Sequence, residues 1–128
     1  MPPSRWITLL SLVCAMALTA CGSERTGGPG GDLGTALDGL CEARLLSARG
    51  LIRDAESQFV DRAHAYLHQL ARETAENDRE AAARLLEAKQ RVEQALAEPP
   101  EPEELAGLLE ELRRRTAEAA GVEVPPCG

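Results

Sequence analysis

Aromatic residues are almost missing: Trp6, Phe59 and Tyr66 are the only ones in 128 positions. An interior filled with rings is therefore excluded, and alanine and leucine must supply most of the buried volume, which makes a thin core. Lysine is scarcer still, with Lys89 alone representing it. Basic charge is in deficit overall, 14 Lys and Arg against 21 Asp and Glu, for a formal net charge of -7. A chain of that sign is repelled by phosphate backbones, which argues against nucleic acid as a partner. Beyond residue 34 there is no alternation of apolar and polar residues and hardly a β-branched side chain, which excludes a sheet. Missing too are a Cys-x-x-Cys-His haem site, a glycine-rich phosphate loop and a nucleophile elbow, so the reading is of a protein that is not an enzyme.

What is present begins at the front. Residues 1–6 carry one basic side chain, Arg5, and no acid, and residues 7–18 carry no charge. This apolar run of about a dozen positions is well short of the roughly 20 that a helix needs to span a bilayer, and it ends in small residues. That is the layout of a signal peptide over residues 1–20. The next four positions in view, Leu18-Thr19-Ala20-Cys21, resemble the lipobox of bacterial lipoprotein precursors. The resemblance implies that signal peptidase II cuts before Cys21 and that its thiol carries diacylglycerol. It also implies a lipid-anchored protein on the cell membrane or outer membrane, facing the periplasm or the exterior. Gly22 stands where an aspartate would resemble an inner-membrane retention signal. The match covers about the first sixth of the chain and says nothing of the rest.

Processing would remove Trp6, Cys14 and Arg5 and leave the chain one unit more negative. Cys21 is then taken by lipid, and Cys41 and Cys127 remain as a pair for a disulfide in an oxidising compartment. Two free thiols and a metal pair are the alternatives. The bridge would close 86 positions, for which chain entropy gives about 4 to 5 kcal/mol at most. Residues 21–34 are glycine-rich and polar, a flexible tether of roughly 20 Å average span.

Residues 35–128 read as an all-α domain, a small antiparallel helical bundle of three main helices and a short N-terminal one. The short helix runs from a cap at Thr35 to Ala48, with Leu37, Leu40, Cys41 and Leu45 on one side and Gly50 as its stop. The second spans Asp54 to Ala75, striped by Phe59, Ala63, Tyr66, Leu67, Leu70 and Thr74. Asn77 and Asp78 offer a turn and a cap for the third, Arg79 to Ala97, with Ala82, Leu85, Leu86, Val92 and Leu96 on one face. Pro99 and Pro100 stop it. Pro102 opens the fourth, whose stripe is Leu105, Leu108, Leu109, Leu112 and Thr116 and whose stop is Gly121. Glu103 and Glu104 suit its positive end, and Arg113, Arg114 and Arg115 are placed at its negative end.

One constellation carries chemistry. In an α-helix the spacings of Asp61, His64 and His68 put two imidazoles and a carboxylate on one face, a set that can ligate zinc, copper or iron. The only lysine, Lys89, falls on the apolar stripe of the third helix, level with those histidines if the turn centres on Asn77. Two outcomes follow: a salt-bridged polar layer in which Lys89 pairs with Asp61 or Glu93, or a metal site with the lysine turned away. A third is that the histidines simply lie on the surface.

The functional expectation is a noncatalytic, membrane-anchored helical module that binds another envelope protein, with no resident cofactor. The alternative is a metal-handling envelope lipoprotein using Asp61, His64 and His68.

Overall fold

The computed structural model describes residues 31–98 and 101–127, and the signal peptide, Cys21, most of the tether, Pro99 and Pro100 lie outside them. Helix α1 (Leu33–Ala48) starts from Asp32, which is extended and accepts from the Thr35 amide at 2.9 Å. A short acceptor on the residue before the first turn is the stronger cap, so the cap falls at Asp32, three residues before the expected Thr35. It ends as expected at Gly50, whose φ of 76° lies in the left-handed region. The amides of Gly50 and Leu51 turn back to the carbonyls of Ser47 and Leu46 at 2.8 and 2.9 Å, satisfying two end groups at once.

The next helix is one continuous rod over residues 52–75. It comprises α2 (Ile52–Phe59), a π-helical turn (Val60–His64) and α3 (Ala65–Ala75). Its inward positions include Ala55, Phe59, Ala63, Leu67 and Ala71, a repeat of four. At 3.6 residues per turn such a repeat drifts about 40° with each step. A wider π turn in the middle takes up part of that drift and keeps the stripe facing the bundle. Helix α4 (Arg79–Ala97) is capped by Asp78, which accepts from the Ala81 amide at 2.9 Å. Helix α5 (Pro102–Ala120) has proline in its first turn and ends on Gly121 at φ 70°.

The helices close into a ring in which α1 packs on α5 and α2, and α4 packs on α5 and α3. Directions follow from named contacts. Ser47, at the end of α1, donates to the Pro102 carbonyl at the start of α5 at 2.8 Å. Arg84, early in α4, pairs with Glu118, late in α5, at 2.7 Å. Thr74 and Ala119, both at C-terminal ends, join the diagonal pair at 3.2 Å. Neighbours are therefore antiparallel, an up-down-up-down four-helix bundle. Leu40, Phe59, Leu67, Leu85, Val92, Leu105, Leu109 and Leu112 make its core.

The N-terminal helix is, as expected, the shortest of the four, and it packs into the bundle on two sides. It is wedged between α5 and the rod and buries the expected Leu37 and Leu40 together with the small residues Ala36, Gly39, Ala43 and Ser47. A Cβ on Gly39 would sit 2.6 Å from the Arg62 Cβ, which is the closeness that glycine permits there. Leu45, expected inward, is on the outer side and 40 % exposed. Leu86 is likewise exposed, because Leu85 beside it takes the inward position. Tyr66 and Thr74 are half-buried at the edge of their stripe.

Candidate functional site

Lys89 occupies the α4 stripe and is buried, with its Nζ 2.5 Å from Glu93 Oε1 one turn later. The same oxygen lies 3.0 Å from His64 Nε2 on the π turn of the facing rod. The sequence-level register of these residues is therefore realised, and of the two carboxylates considered for Lys89 it is Glu93 that pairs. The His64 ring meets His68 edge-on, with centroids 4.9 Å apart, and meets Phe59 the same way at 5.8 Å. Glu93, Lys89 and His64 thus form one polar layer that links α4 to the rod, while His68 is exposed at its edge and touches the His64 ring.

The charges in this layer are mutually adjusted. Partial burial would raise the pKa of Glu93, but the bonded Lys89 ammonium, with His64 adding to it, outweighs burial and holds the carboxyl below its ordinary value. Desolvation of the inner edge of His68 lowers its pKa, and the positive Lys89 and neighbouring His64 lower it further. Both shifts favour a layer with Glu93 ionised and His68 neutral near pH 7.

Asp61 does not join them. It is exposed and accepts from Ser57 Oγ at 3.0 Å on its own helix. In a regular α-helix Asp61 and His64 would stand on one face, but the π turn spans both residues, and its wider coil rotates the aspartate away. Among the described residues no three His, Cys, Asp or Glu side chains are gathered as one metal ion would need them. The zinc, copper or iron set of Asp61, His64 and His68 therefore has no assembled geometry in this fold.

The second cluster ties down the C-terminal tail. Cys41 on α1 and Cys127 are disulfide-bonded, with Cα atoms 5.6 Å apart, and the other described residues leave no competing cysteine. Arg113, buried on α5, holds Glu110 through two bonds of 3.0 Å and donates Nη1 to the Pro125 carbonyl. The tail is thereby fastened at two points. An open cleft of about 460 Å³ lies beneath it, walled by Asp38, Glu42, Arg62 and Arg113 and edged by Pro125 and Pro126.

The placement of Arg113, Arg114 and Arg115 corrects the expectation that they serve the helix end. Helix α5 runs on to Ala120 and has no basic residue in its last turn. The three are mid-helix rungs: Arg114 pairs with Glu111, and Arg115 with Glu111 at 2.7 Å and Glu118 at 2.8 Å. These partners hold Glu110, Glu111 and Glu118 below the ordinary carboxylate range, chiefly through hydrogen bonds from Arg113, Arg114 and Arg115 respectively. The acidic positions three and four residues away were the available signal for such a ladder.

No protein family, no curated protein and no solved structure matches the chain.

Proposed function

We propose that the chain is a lipoprotein precursor anchored through lipid on Cys21, and that its helical bundle is a noncatalytic module that binds another protein of the cell envelope. The observation that carries the reading is the uncharged run of residues 7–18 leading into Leu18-Thr19-Ala20-Cys21. Two or three acyl chains on one cysteine make release from a bilayer negligible, since each buried methylene contributes about 0.8 kcal/mol. Among the described residues no helix is long and apolar enough to cross a membrane.

Several features support the module reading. His64 is engaged with Glu93 and the described cysteines with one another, and the exposed helix faces are the largest surface on offer. The polar layer serves to set the register of α4 against the rod, the best-attested use of buried ionic groups.

Membrane fractionation of cells expressing the parent chain and a Cys21→Ser variant tests the anchor. The parent is expected in the membrane fraction and the variant outside it; equal partition of the two would overturn the reading. For the module, photo-crosslinking from exposed helix positions is expected to trap one envelope protein from a single face. Trapping from none of the faces would contradict it.

A further inference from the structure

Residues 122–127 run over the outside of the bundle as an irregular strap, exposed from Val122 to Pro126. The Gly121 and Val122 amides belong to the end of α5, where they donate to the carbonyls of Glu118 and Ala117. Beyond them, among the described residues, the strap makes one hydrogen bond and one covalent tie. The Pro125 carbonyl accepts from Arg113 Nη1, and Cys127 is joined to Cys41. Pro125 and Pro126 have no amide to donate. Ordering half a dozen residues costs more conformational entropy than one charge-assisted hydrogen bond returns, so the disulfide is what keeps the strap down. Held there, Pro125 and Pro126 rim the polar cleft walled by Asp38, Glu42, Arg62 and Arg113.

The bundle does not need the bond in order to close. Neither cysteine is buried, whereas Leu40 and Ala43 on α1 share one core cluster with Leu105, Leu109 and Leu112 on α5. Opening the strap strands no charge either, because the buried Arg113 has two bonds of 3.0 Å to Glu110 that do not involve the tail. The stabilising effect of the bond acts on the unfolded chain, so its loss lowers stability without dismantling the native core. Both cysteines are half-buried at the surface, where an external thiolate reaches the sulfurs. We infer that Cys41–Cys127 is the clasp of a redox-opened strap, which a dithiol releases from the folded protein. One thiolate of the dithiol attacks a sulfur of the bond, and the other cysteine leaves as a thiolate. The second sulfur of the dithiol then displaces the first cysteine from the mixed disulfide. Two electrons and two protons pass to the cysteines, and the dithiol becomes a disulfide. Residues 122–127 come away and uncover Arg113 Nη1 and the cleft behind it. The inference goes beyond the anchored-module reading and does not depend on it.

The full chain in detergent micelles is treated with dithiothreitol in native buffer, and backbone order parameters are measured by NMR before and after. The amides of Glu123, Val124 and Cys127 are expected to fall from the rigid range of about 0.85 to below about 0.6, while those of Leu40, Leu85 and Leu109 stay unchanged. The rate of reduction is expected to vary by less than about twofold as urea is raised below the unfolding midpoint, since the bond is reached without opening the bundle. A chain carrying Cys41→Ser and Cys127→Ser should reproduce the reduced spectrum without any reductant. Strap amides that stay ordered after reduction, core amides that lose order with them, or a reduction rate that climbs with urea in step with unfolding would each overturn the inference. None of these results bears on the lipid anchor, which membrane fractionation reads separately.

Discussion

Lys89 and Glu93 stand one turn apart on α4, and the ammonium of the first, shut almost entirely from water, lies 2.5 Å from the half-exposed carboxylate of the second. Removing the two partners should not cost the same. Glu93→Ala strands a buried charge and is expected to lower unfolding free energy by about 2 kcal/mol. Lys89→Met replaces that charge with apolar volume and should stay within about 1 kcal/mol of the parent. Urea denaturation of both variants checks the asymmetry, and equal losses would contradict the role assigned to Lys89.

The tail bond should matter more than any single ion pair. Cys41→Ser or Cys127→Ser removes the restraint on 86 positions and should cost about 3 kcal/mol. Denaturation of the parent with and without reductant is the check: reduction should move the parent to the variant's midpoint and leave the variant unmoved.

Gly39 gives a steric prediction. With the Arg62 Cβ only 2.6 Å from where a new Cβ would sit, Gly39→Ala must push α1 from the π turn, at a cost of about 1 to 3 kcal/mol. This outweighs the gain of about 1 kcal/mol that alanine normally brings to a helix interior. A thermal melt showing Gly39→Ala as stable as the parent would contradict the close packing.

Acid should weaken the fold in two stages. His68 is lowered in the folded state, so its contribution is full above the unfolded value near 6.5 and is lost as pH falls through the folded value. Glu93, Glu110, Glu111 and Glu118 are lowered too, so their contributions persist until the pH drops below the ordinary carboxylate range. Stability measured from pH 8 down to pH 3 should be flat at first, slope gently below about 6.5 and fall more steeply below about 4.5. His68→Gln should remove the first slope alone.

Local signals were readable in the sequence where one residue decides the outcome. Asp78, Gly50 and Gly121 cap or stop their helices as short acceptors and left-handed glycines should. Lys89 was placed correctly because a lone charge on an apolar stripe stands out. Helix α1 was readable in its Ala48 end, its Gly50 stop and the burial of Leu37 and Leu40, but not in its other contacts, since a helix packed on two sides also buries alanine, glycine and serine and leaves Leu45 outside. The π turn escaped for a related reason: only the repeat of four through Ala55, Phe59, Ala63, Leu67 and Ala71 hints at it, and that drift is small at each step. Its consequence reached the site, because Asp61 stands on that turn, exposed and bonded to Ser57.

The most direct measurement is the mass of the N-terminal peptide of the chain isolated from membranes of a lipoprotein-processing host. A peptide beginning at Cys21 and carrying diacylglycerol on its thiol is expected. A peptide beginning at Met1, or at any residue other than Cys21 with the thiol free, would contradict it.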